Sequence, residues 1–228
     1  MEVKNSNGRI DLNAWDKNEI LIIAHIKIEG DNSDAEKIMD RIEIEVEQNG
    51  DNIFVETVLP SGLNKGSGFL SWLFGRRPWS VIVEYEITVP HNADLNLRTS
   101  NGLISVEKVV GNIRLSSTNG KINATEVSGA VNCETTNGKI IADFSEINSK
   151  EELIFKTTNG SIKVYLPEDF GGYADLKTTN GRIDSDFSLY GNEHRSKKSR
   201  NSFRGEIAQG DGSIKCKTTN GSIYLVKK

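Results

Sequence analysis

The sequence predicts an all-β protein built as a single-stranded parallel β-solenoid, and three observations lead to that prediction. A six-residue phrase, Thr-Thr-Asn-Gly-x-Ile, occurs in six close variants between residues 99 and 223. Counted from one Asn to the next, the steps are 18, 18, 22, 21 and 40 residues. Apolar and polar residues alternate on both sides of each Asn-Gly pair. Such repetition is typical of solenoids, in which each coil buries its apolar face only against its neighbours.

Aligned on the Asn, the copies share apolar columns that predict two inward-facing strands in each coil. Three residues after the Asn stand Ile104, Ile122, Ile140, Ile162, Ile183 and Ile223. Four residues before it stand Leu97, Leu115, Cys133, Phe155, Leu176 and Cys216. Because side chains alternate between the two faces of a strand, this spacing predicts a strand, a corner and a second strand.

The Asn-Gly pair predicts the corner, because Asn and Gly tolerate positive φ better than other residues. In an isolated hairpin the same pair would form a type I′ turn, so a meander of antiparallel hairpins is the rival architecture. Parallel stacking is favoured because like residues then form ladders with a spacing of roughly 4.8 Å. The general preference of crossover connections predicts a right-handed solenoid.

Residues 1–90 predict an N-terminal capping region. The phrase already occurs once at residues 5–10, so this region begins inside the solenoid. Ser33 and Glu36 have the spacing of a capping box, which predicts a short helix that ends near Met39. Three alternating runs predict strands with one polar face, at residues 42–46, 53–59 and 81–89. We expect them to cover the exposed end of the solenoid.

The whole chain, residues 1–228, is expected to form a single domain, because no linker separates the capping region from the repeat coils of residues 91–228. The longest step between repeats contains a polar, basic stretch at residues 188–205. It has no apolar period and predicts a mobile loop.

Charge divides the chain into an acidic part and a slightly basic part. Residues 1–90 carry 9 Lys and Arg against 16 Asp and Glu, whereas residues 91–228 carry 19 against 16. A net charge of −4 argues against a nucleic-acid-binding protein. No apolar run approaches the roughly 20 residues of a transmembrane segment, and the first residues do not resemble a signal peptide. We therefore expect a cytoplasmic protein or the soluble part of a longer envelope protein.

The two cysteines are predicted to be reduced, buried and structural. Cys133 and Cys216 occupy the same inward column three copies apart, which predicts a separation of roughly 14 Å. A disulfide requires Cα atoms within about 7 Å of each other.

Residues 68–79 form the most unusual local stretch and are a candidate binding segment for a partner. Its aromatic and Arg side chains are Phe69, Trp72, Phe74, Arg76, Arg77 and Trp79. Aromatic residues beside Arg are typical of protein-binding hot spots and of membrane interfaces. The alternatives are a segment that plugs the end of the solenoid, a self-association surface and a lipid contact.

Outward positions near the Asn column are rich in cations and predict a second candidate surface. These residues are Lys121, Lys139, Lys156, Lys177, Arg182 and Lys217. Ladders of cations about 5 Å apart could bind an anionic polymer or headgroup surface. Glu134 and Asp184 interrupt the ladders, so the alternative is a solvated face that opposes edge-to-edge aggregation.

No catalytic, cofactor or metal site is predicted. His25, His91 and His194 share no motif and lack metal-ligand spacing with the cysteines. Asp143 and Asp186 hold equivalent outward positions, two coils or roughly 10 Å apart, which is slightly wide even for an inverting glycosidase. The alternative to a binding protein is a β-helix enzyme that acts on an acidic glycan. Such an enzyme would need acid and base groups that converge on one outer face.

Several ordered pieces of the chain resemble a bacterial family of adhesin-like domains of unknown function, found in envelope-associated and envelope-stress proteins. These pieces are residues 6–10 with 15–16, 35–48, 83–90, the repeated phrase, 204–207 and 210–212. The resemblance covers essentially the whole chain. It implies a β-solenoid that serves as a surface or regulatory scaffold, and it transfers no catalytic residue. We therefore expect a non-enzymatic binding or scaffold protein of the bacterial cell envelope. Its partner would be a protein, another copy of itself or an anionic envelope polymer.

Overall fold

The computed structural model describes residues 1–29, 39–59, 80–147, 150–190 and 201–228, and within them every named element is a β-strand. The strands are β1 (Glu2–Asn7), β2 (Ile10–Trp15), β3 (Leu21–Glu29), β4 (Glu43–Asn49), β5 (Asn52–Val58), β6 (Ser80–Pro90), β7 (Leu95–Asn101), β8 (Ile104–Glu107), β9 (Ile113–Asn119), β10 (Ile122–Val127), β11 (Val131–Asn137), β12 (Ile140–Phe144), β13 (Glu152–Asn159), β14 (Ile162–Leu166), β15 (Gly172–Lys177), β16 (Ile183–Ser185), β17 (Ser202–Ile207), β18 (Gly212–Lys217) and β19 (Ile223–Lys227). Residues 33–38 of the predicted helix lie outside the described residues, so that helix stays a prediction.

The strands form two long sheets that share one core. The first sheet has ten strands in the order β17-β15-β18-β13-β11-β9-β7-β1-β5-β4, and the second has nine in the order β16-β19-β14-β12-β10-β8-β2-β6-β3. Each coil contributes the strand before its Asn to the first sheet and the strand after it to the second. Neighbouring coils pair in parallel, with Asn101, Asn119 and Asn137 in register. The parallel solenoid is confirmed, and the antiparallel meander is excluded for the repeats. The right-handed winding stays a prediction.

The apolar columns form the core as expected. The Ile column is fully buried from Ile104 through Ile140 to Ile223, and only Ile183, on the edge strand β16, is partly exposed. One cluster of buried side chains extends from Val3 to Leu225.

The glycine of the repeated phrase is required for a reason other than the expected one. In this column only Gly8 has a positive φ, of 123°. A Cβ atom on Gly120 would instead overlap the carbonyl oxygen of Gly102 in the neighbouring coil. Glycine therefore allows the backbones of two corners to approach each other, and the prediction that positive φ makes the corner is wrong beyond Gly8.

The Thr and Asn side chains of the phrase join the corners of neighbouring coils. The buried hydroxyl two residues before each Asn donates to the glycine carbonyl of the adjacent coil, at 2.7 Å from Thr178 and 3.3 Å from Thr99. The Asn amides form a continuous ladder of Nδ2 to Oδ1 hydrogen bonds: Asn119 to Asn101 (2.9 Å), Asn137 to Asn119 (2.8 Å), Asn159 to Asn137 (2.7 Å), Asn220 to Asn159 (2.7 Å) and Asn180 to Asn220 (2.7 Å).

The order of coils in the stack differs from their order in the chain. The last coil of the sequence, β18 and β19, inserts between the coil of β13 and β14 and the coil of β15 and β16. At the other end, β5 and β6 stack beyond the first coil, β1 and β2. Three of the four outermost pairs are antiparallel, β3 with β6, β4 with β5 and β17 with β15, whereas β16 pairs in parallel with β19. The strands β3, β4, β5 and β6 therefore lie at one end of the stack.

The predicted loop at residues 188–205 is shorter than expected, because it ends in a strand. Residues 202–205 belong to β17, which pairs with β15 from Lys177↔Ser202 to Gly172↔Ile207. Phe203 and Ile207 point toward the core, an alternation that the charged residues between them obscure in the sequence. Residues 191–200 lie outside the described residues.

Candidate functional site

The aromatic segment cannot be placed on this fold. Phe69, Trp72, Phe74, Arg76, Arg77 and Trp79 all belong to residues 60–79, which lie outside the described residues. Their role in partner binding stays a prediction.

The six cations of the predicted anionic-ligand face divide between two places. Lys121, Lys139 and Arg182 directly follow the Asn-Gly pairs and lie at the corner between the sheets. Lys156, Lys177 and Lys217 lie on the outer face of the first sheet. All six side chains face outward, but they lie on two surfaces instead of the single surface that the sequence predicts.

The three lysines of the sheet form one row across adjacent strands. Lys217 on β18 pairs in register with Lys156 on one side and with Lys177 on the other. Neighbouring members are therefore one strand spacing, roughly 4.8 Å, apart at the backbone. Lys156 forms an ion pair with Glu134 at 2.7 Å. Lys177 and Lys217 are both exposed and have no carboxylate within ion-pair distance in the described part of the chain.

A fourth lysine, Lys215, extends this row into a patch. It is exposed and lies on β18 two residues before Lys217, so it faces the same side of the sheet. Its neighbour Asp175 pairs instead with Arg204, at 3.0 Å. We call Lys177, Lys215 and Lys217 the lysine patch. Lys215 could not be singled out from the sequence, because the residues at the same position of the other coils are mixed in charge: Asn96, Arg114, Asn132, Ile154 and Asp175.

The corner cations form a shorter group. Lys121 and Lys139 lie in consecutive coils, and both side chains are exposed. Ser161 and Ser222 separate them from Arg182 in the stack. Arg182 itself pairs with Asp184 at 2.7 Å, and this contact raises the pKa of the guanidinium.

The two carboxylates of the enzyme hypothesis are farther apart than predicted. Asp143 and Asp186 were expected two coils apart, but the inserted coil places β14 and β19 between β12 and β16. Three strand spacings amount to roughly 14 Å, beyond the roughly 6.5–9.5 Å of an inverting pair. Asp143 also binds Lys228 Nζ at 2.6 Å, and Asp186 accepts the backbone N–H of Lys227 at 3.2 Å. These residues do not form a catalytic pair.

The histidines take part in exposed polar contacts. His25 Nε2 lies 3.6 Å from Glu86, and His91 Nε2 lies 3.2 Å from Asp16. His194 lies outside the described residues. Among the described residues, no group of three or more His, Cys, Asp or Glu side chains could hold a metal ion.

The cysteines are free and fully buried, as predicted, although their spacing was wrong. Cys133 pairs with Phe155, which pairs with Cys216, so they are two strands apart instead of three. Two spacings, or roughly 9.6 Å, still exceed the reach of a disulfide. Burial raises the pKa of both thiols, which disfavours the reactive thiolate.

A polar cleft of about 880 Å³ lies on the first sheet, at the end opposite to the lysine patch. Its floor is a row of side chains on adjacent strands: Phe54, Glu2, Asn96 and Arg114. Asn49 and Asn52, beside the β4–β5 turn, line one side, and Asp94 and Asn112 line the other. This cleft could not be predicted from the sequence, because its residues come from separate coils and share no spacing.

No helix in the described residues has the length and apolar character needed to cross a membrane.

Comparison with known proteins identifies one family and two distant structures. The Toastrack DUF4097 family model matches residues 1–225. A candidate cell adhesion protein from Clostridium sporogenes has 16% sequence identity and a TM-score of 0.45, covering 100% of this chain and 92% of the other. A candidate adhesin from Bacteroides fragilis has 12% identity and a TM-score of 0.35, covering 99% and 91%. No curated protein matches the chain. Similarity at this level leaves the function to be argued from the chain's own surface.

Proposed function

The chain belongs to the Toastrack DUF4097 family, and we propose that it is a non-enzymatic, adhesin-like protein that binds an anionic polymer of the bacterial cell envelope through its lysine patch. The polymer would carry phosphate or carboxylate groups at short, regular intervals. It would lie across the strands of the first sheet.

The observation that carries this proposal is the close placement of lysines without carboxylate partners. Lys177 and Lys217 lie directly opposite each other on paired strands, and like charges in that position destabilise a sheet. Lys215 adds a third charge to the same face. A bound polyanion would remove this repulsion and would be attracted by the summed positive potential. Binding of a polyanion to the lysine patch would therefore stabilise the folded protein.

The surface around the patch suits an extended polymer better than a small molecule. Next to the lysine row runs a row of exposed threonines: Thr158 lies on β13, and Thr179 and Thr219 come two residues after the ends of β15 and β18. Their hydroxyl groups can both donate and accept hydrogen bonds. Because both rows repeat with the strand spacing, a polymer laid across the strands would meet the same two groups repeatedly.

A pair of matched variants tests this proposal. The variant Lys177→Gln/Lys217→Gln removes two positive charges from adjacent strands of the lysine patch. The variant Lys121→Gln/Lys139→Gln removes two positive charges from the corner between the sheets. Co-sedimentation with lipoteichoic acid, polygalacturonate and neutral dextran, at low and physiological salt, would measure binding. We expect salt-sensitive binding to the anionic polymers, weakened at least about tenfold by the first variant and little by the second.

The comparison of the two variants decides the location of the site. Equal losses in both would show that only net charge matters, and the lysine patch would not be the site. A loss confined to Lys121→Gln/Lys139→Gln would move the site to the corner. Binding to neither anionic polymer would overturn the proposal. Preference for lipoteichoic acid over polygalacturonate would identify phosphate as the recognised group.

A further inference from the structure

The polar cleft has the size of a ligand site and is separate from the lysine patch. Its volume of about 880 Å³ lies within the range of small-molecule sites, which is roughly 300–1,000 Å³. The floor crosses β5, β1, β7 and β9, whereas the lysine patch occupies β15 and β18. The intervening strands β11 and β13 separate the two surfaces. A ligand of the cleft can therefore bind independently of the polymer.

Amide side chains dominate the polar lining of the cleft. It contains Gln48, Asn49, Asn52, Asn96 and Asn112. Asn49 and Asn52 are exposed, face each other across the β4–β5 pair and form no side-chain hydrogen bond within the described part of the chain. Each amide offers two donor hydrogens and one acceptor oxygen. This combination matches hydroxyl groups, which also donate and accept.

Hydrogen bonds to neighbours orient two of the other amides. Asp94 Oδ1 accepts hydrogen bonds from the backbone N–H of Asn112 at 2.7 Å and from its Nδ2 at 3.1 Å. These bonds lower the pKa of Asp94 and keep it ionised. The Asn96 oxygen accepts a hydrogen bond from Arg98 at 3.2 Å, which leaves its NH₂ group available. The cleft therefore presents donors and acceptors in fixed positions.

Charges of both signs line the cleft: the carboxylates of Glu2, Glu47 and Asp94, the guanidinium of Arg114 and the N-terminal amino group of Met1. Glu2 pairs with Lys4 at 3.5 Å, and the positive charge of Arg114 contributes to the lowered pKa of Asp94. Phe54 adds an aromatic surface on the floor, with Lys4 Nζ 4.6 Å from its ring centroid. A lining with this balance of charges favours neither anionic nor cationic ligands. An aromatic ring beside polar groups suits a ligand with an apolar C–H face and a hydroxyl-bearing rim.

We propose that this cleft binds a short, neutral saccharide. Asn49 and Asn52 would hydrogen-bond its hydroxyl groups from one side and Asn96 from the floor, while Phe54 packs against the C–H face of one sugar ring. The saccharide site is a second binding function of the protein and does not depend on the lysine patch.

Titration calorimetry with cellotetraose, maltotetraose and chitotetraose tests this inference. We expect saturable binding of at least one of them at millimolar concentration. Asn49→Ala/Asn52→Ala should weaken that binding at least about tenfold, because it removes two hydrogen-bonding groups. The control Asn18→Ala/Asn92→Ala changes two exposed asparagines outside the cleft and should bind like the wild type.

Two further variants separate this inference from the effects of misfolding and from the polymer site. Phe54→Leu keeps an apolar residue in β5 and should also weaken saccharide binding. Because this variant leaves the Asn residues of the β4–β5 turn unchanged, weaker binding by both variants could not be explained by loss of the hairpin in the Asn variant. Lys177→Gln/Lys217→Gln should bind saccharide like the wild type. Absence of binding for all three saccharides, or equal binding by wild type and Asn49→Ala/Asn52→Ala, would overturn the saccharide site.

Discussion

At the scale of the residue, each position of the repeated phrase makes a different contact with the neighbouring coil. In the coil at residues 135–140, the Thr135 hydroxyl binds the Gly120 carbonyl at 3.0 Å and Asn137 binds Asn119 at 2.8 Å. Gly138 lies against the Gly120 carbonyl, and Ile140 enters the core. A single substitution in the phrase therefore disturbs two coils.

Gly120→Ala should destabilise the protein by about 3 kcal/mol, because the new Cβ meets a backbone carbonyl that cannot move without shifting the adjacent corner. Gly50→Ala is the control: no atom lies within 4 Å of its Cβ position, although its φ of 60° costs about 1 kcal/mol. Urea unfolding monitored by circular dichroism measures both. Equal destabilisation would mean that backbone conformation, and not close approach, requires glycine at this corner.

At the scale of the element, the Asn ladder joins six corners in one direction. Every amide hydrogen bond has its Nδ2 on one coil and its Oδ1 on the next. The ladder continues through Asn220 of the inserted coil without interruption. An internal Asn therefore takes part in two ladder bonds, whereas Asn180 at the end takes part in one.

Asn137→Ala should therefore cost about 2 kcal/mol of unfolding free energy and Asn180→Ala about 1 kcal/mol, since one net hydrogen bond contributes about 1 kcal/mol. Chemical denaturation of both variants checks this difference. Both asparagines are exposed, so the loss of buried volume is small in each case. A smaller loss for Asn137→Ala than for Asn180→Ala would show that the ladder bonds contribute little to stability.

The columns of the repeat could be predicted from the sequence, but the neighbours within each column could not. Alternation of apolar residues is a local property, so inward and outward positions were assigned correctly at Ile140 and Lys217. Pairing of coils depends on contacts between distant segments. The inserted last coil is the common cause of two errors: it shortens the distance from Cys133 to Cys216 and lengthens that from Asp143 to Asp186.

The polar cleft was beyond prediction for a related reason. Its lining combines the β4–β5 turn with the starts of β7 and β9, and nothing in the local sequence indicates that they meet. The role of glycine was also misjudged, because a close approach between backbones leaves the same residue preference as a positive φ.

At the scale of the whole molecule, a regular interior is closed by irregular ends. The edge strand β3 has no fully buried residue, and on β4 Val46 is 55% exposed. The β4 side chains Glu43, Glu45 and Glu47 are exposed, which opposes pairing with another sheet. In contrast, β11 has neighbours on both sides, and alternate residues are buried.

Hydrogen exchange followed by mass spectrometry should therefore show the greatest protection in β9 and β11 and the least in β3 and β4. Local opening needs less free energy where fewer apolar contacts are broken. β5, which has paired strands on both sides, is an internal control close to the end. Protection of β4 equal to that of β11 would mean that the stack opens only as a whole.

The insertion of the last coil also sets an order of events during synthesis. Residues 172–185 leave the ribosome before residues 212–227, yet their place in the stack lies beyond that of the later segment. While only the earlier residues are available, the exposed edge of β13 and β14 has no correct neighbour. Until β18 and β19 have been synthesised, β15 and β16 must either stay unpaired or pair with β13 and β14 and dissociate later. Folding of this repeat protein therefore cannot simply follow the growing chain from one end to the other.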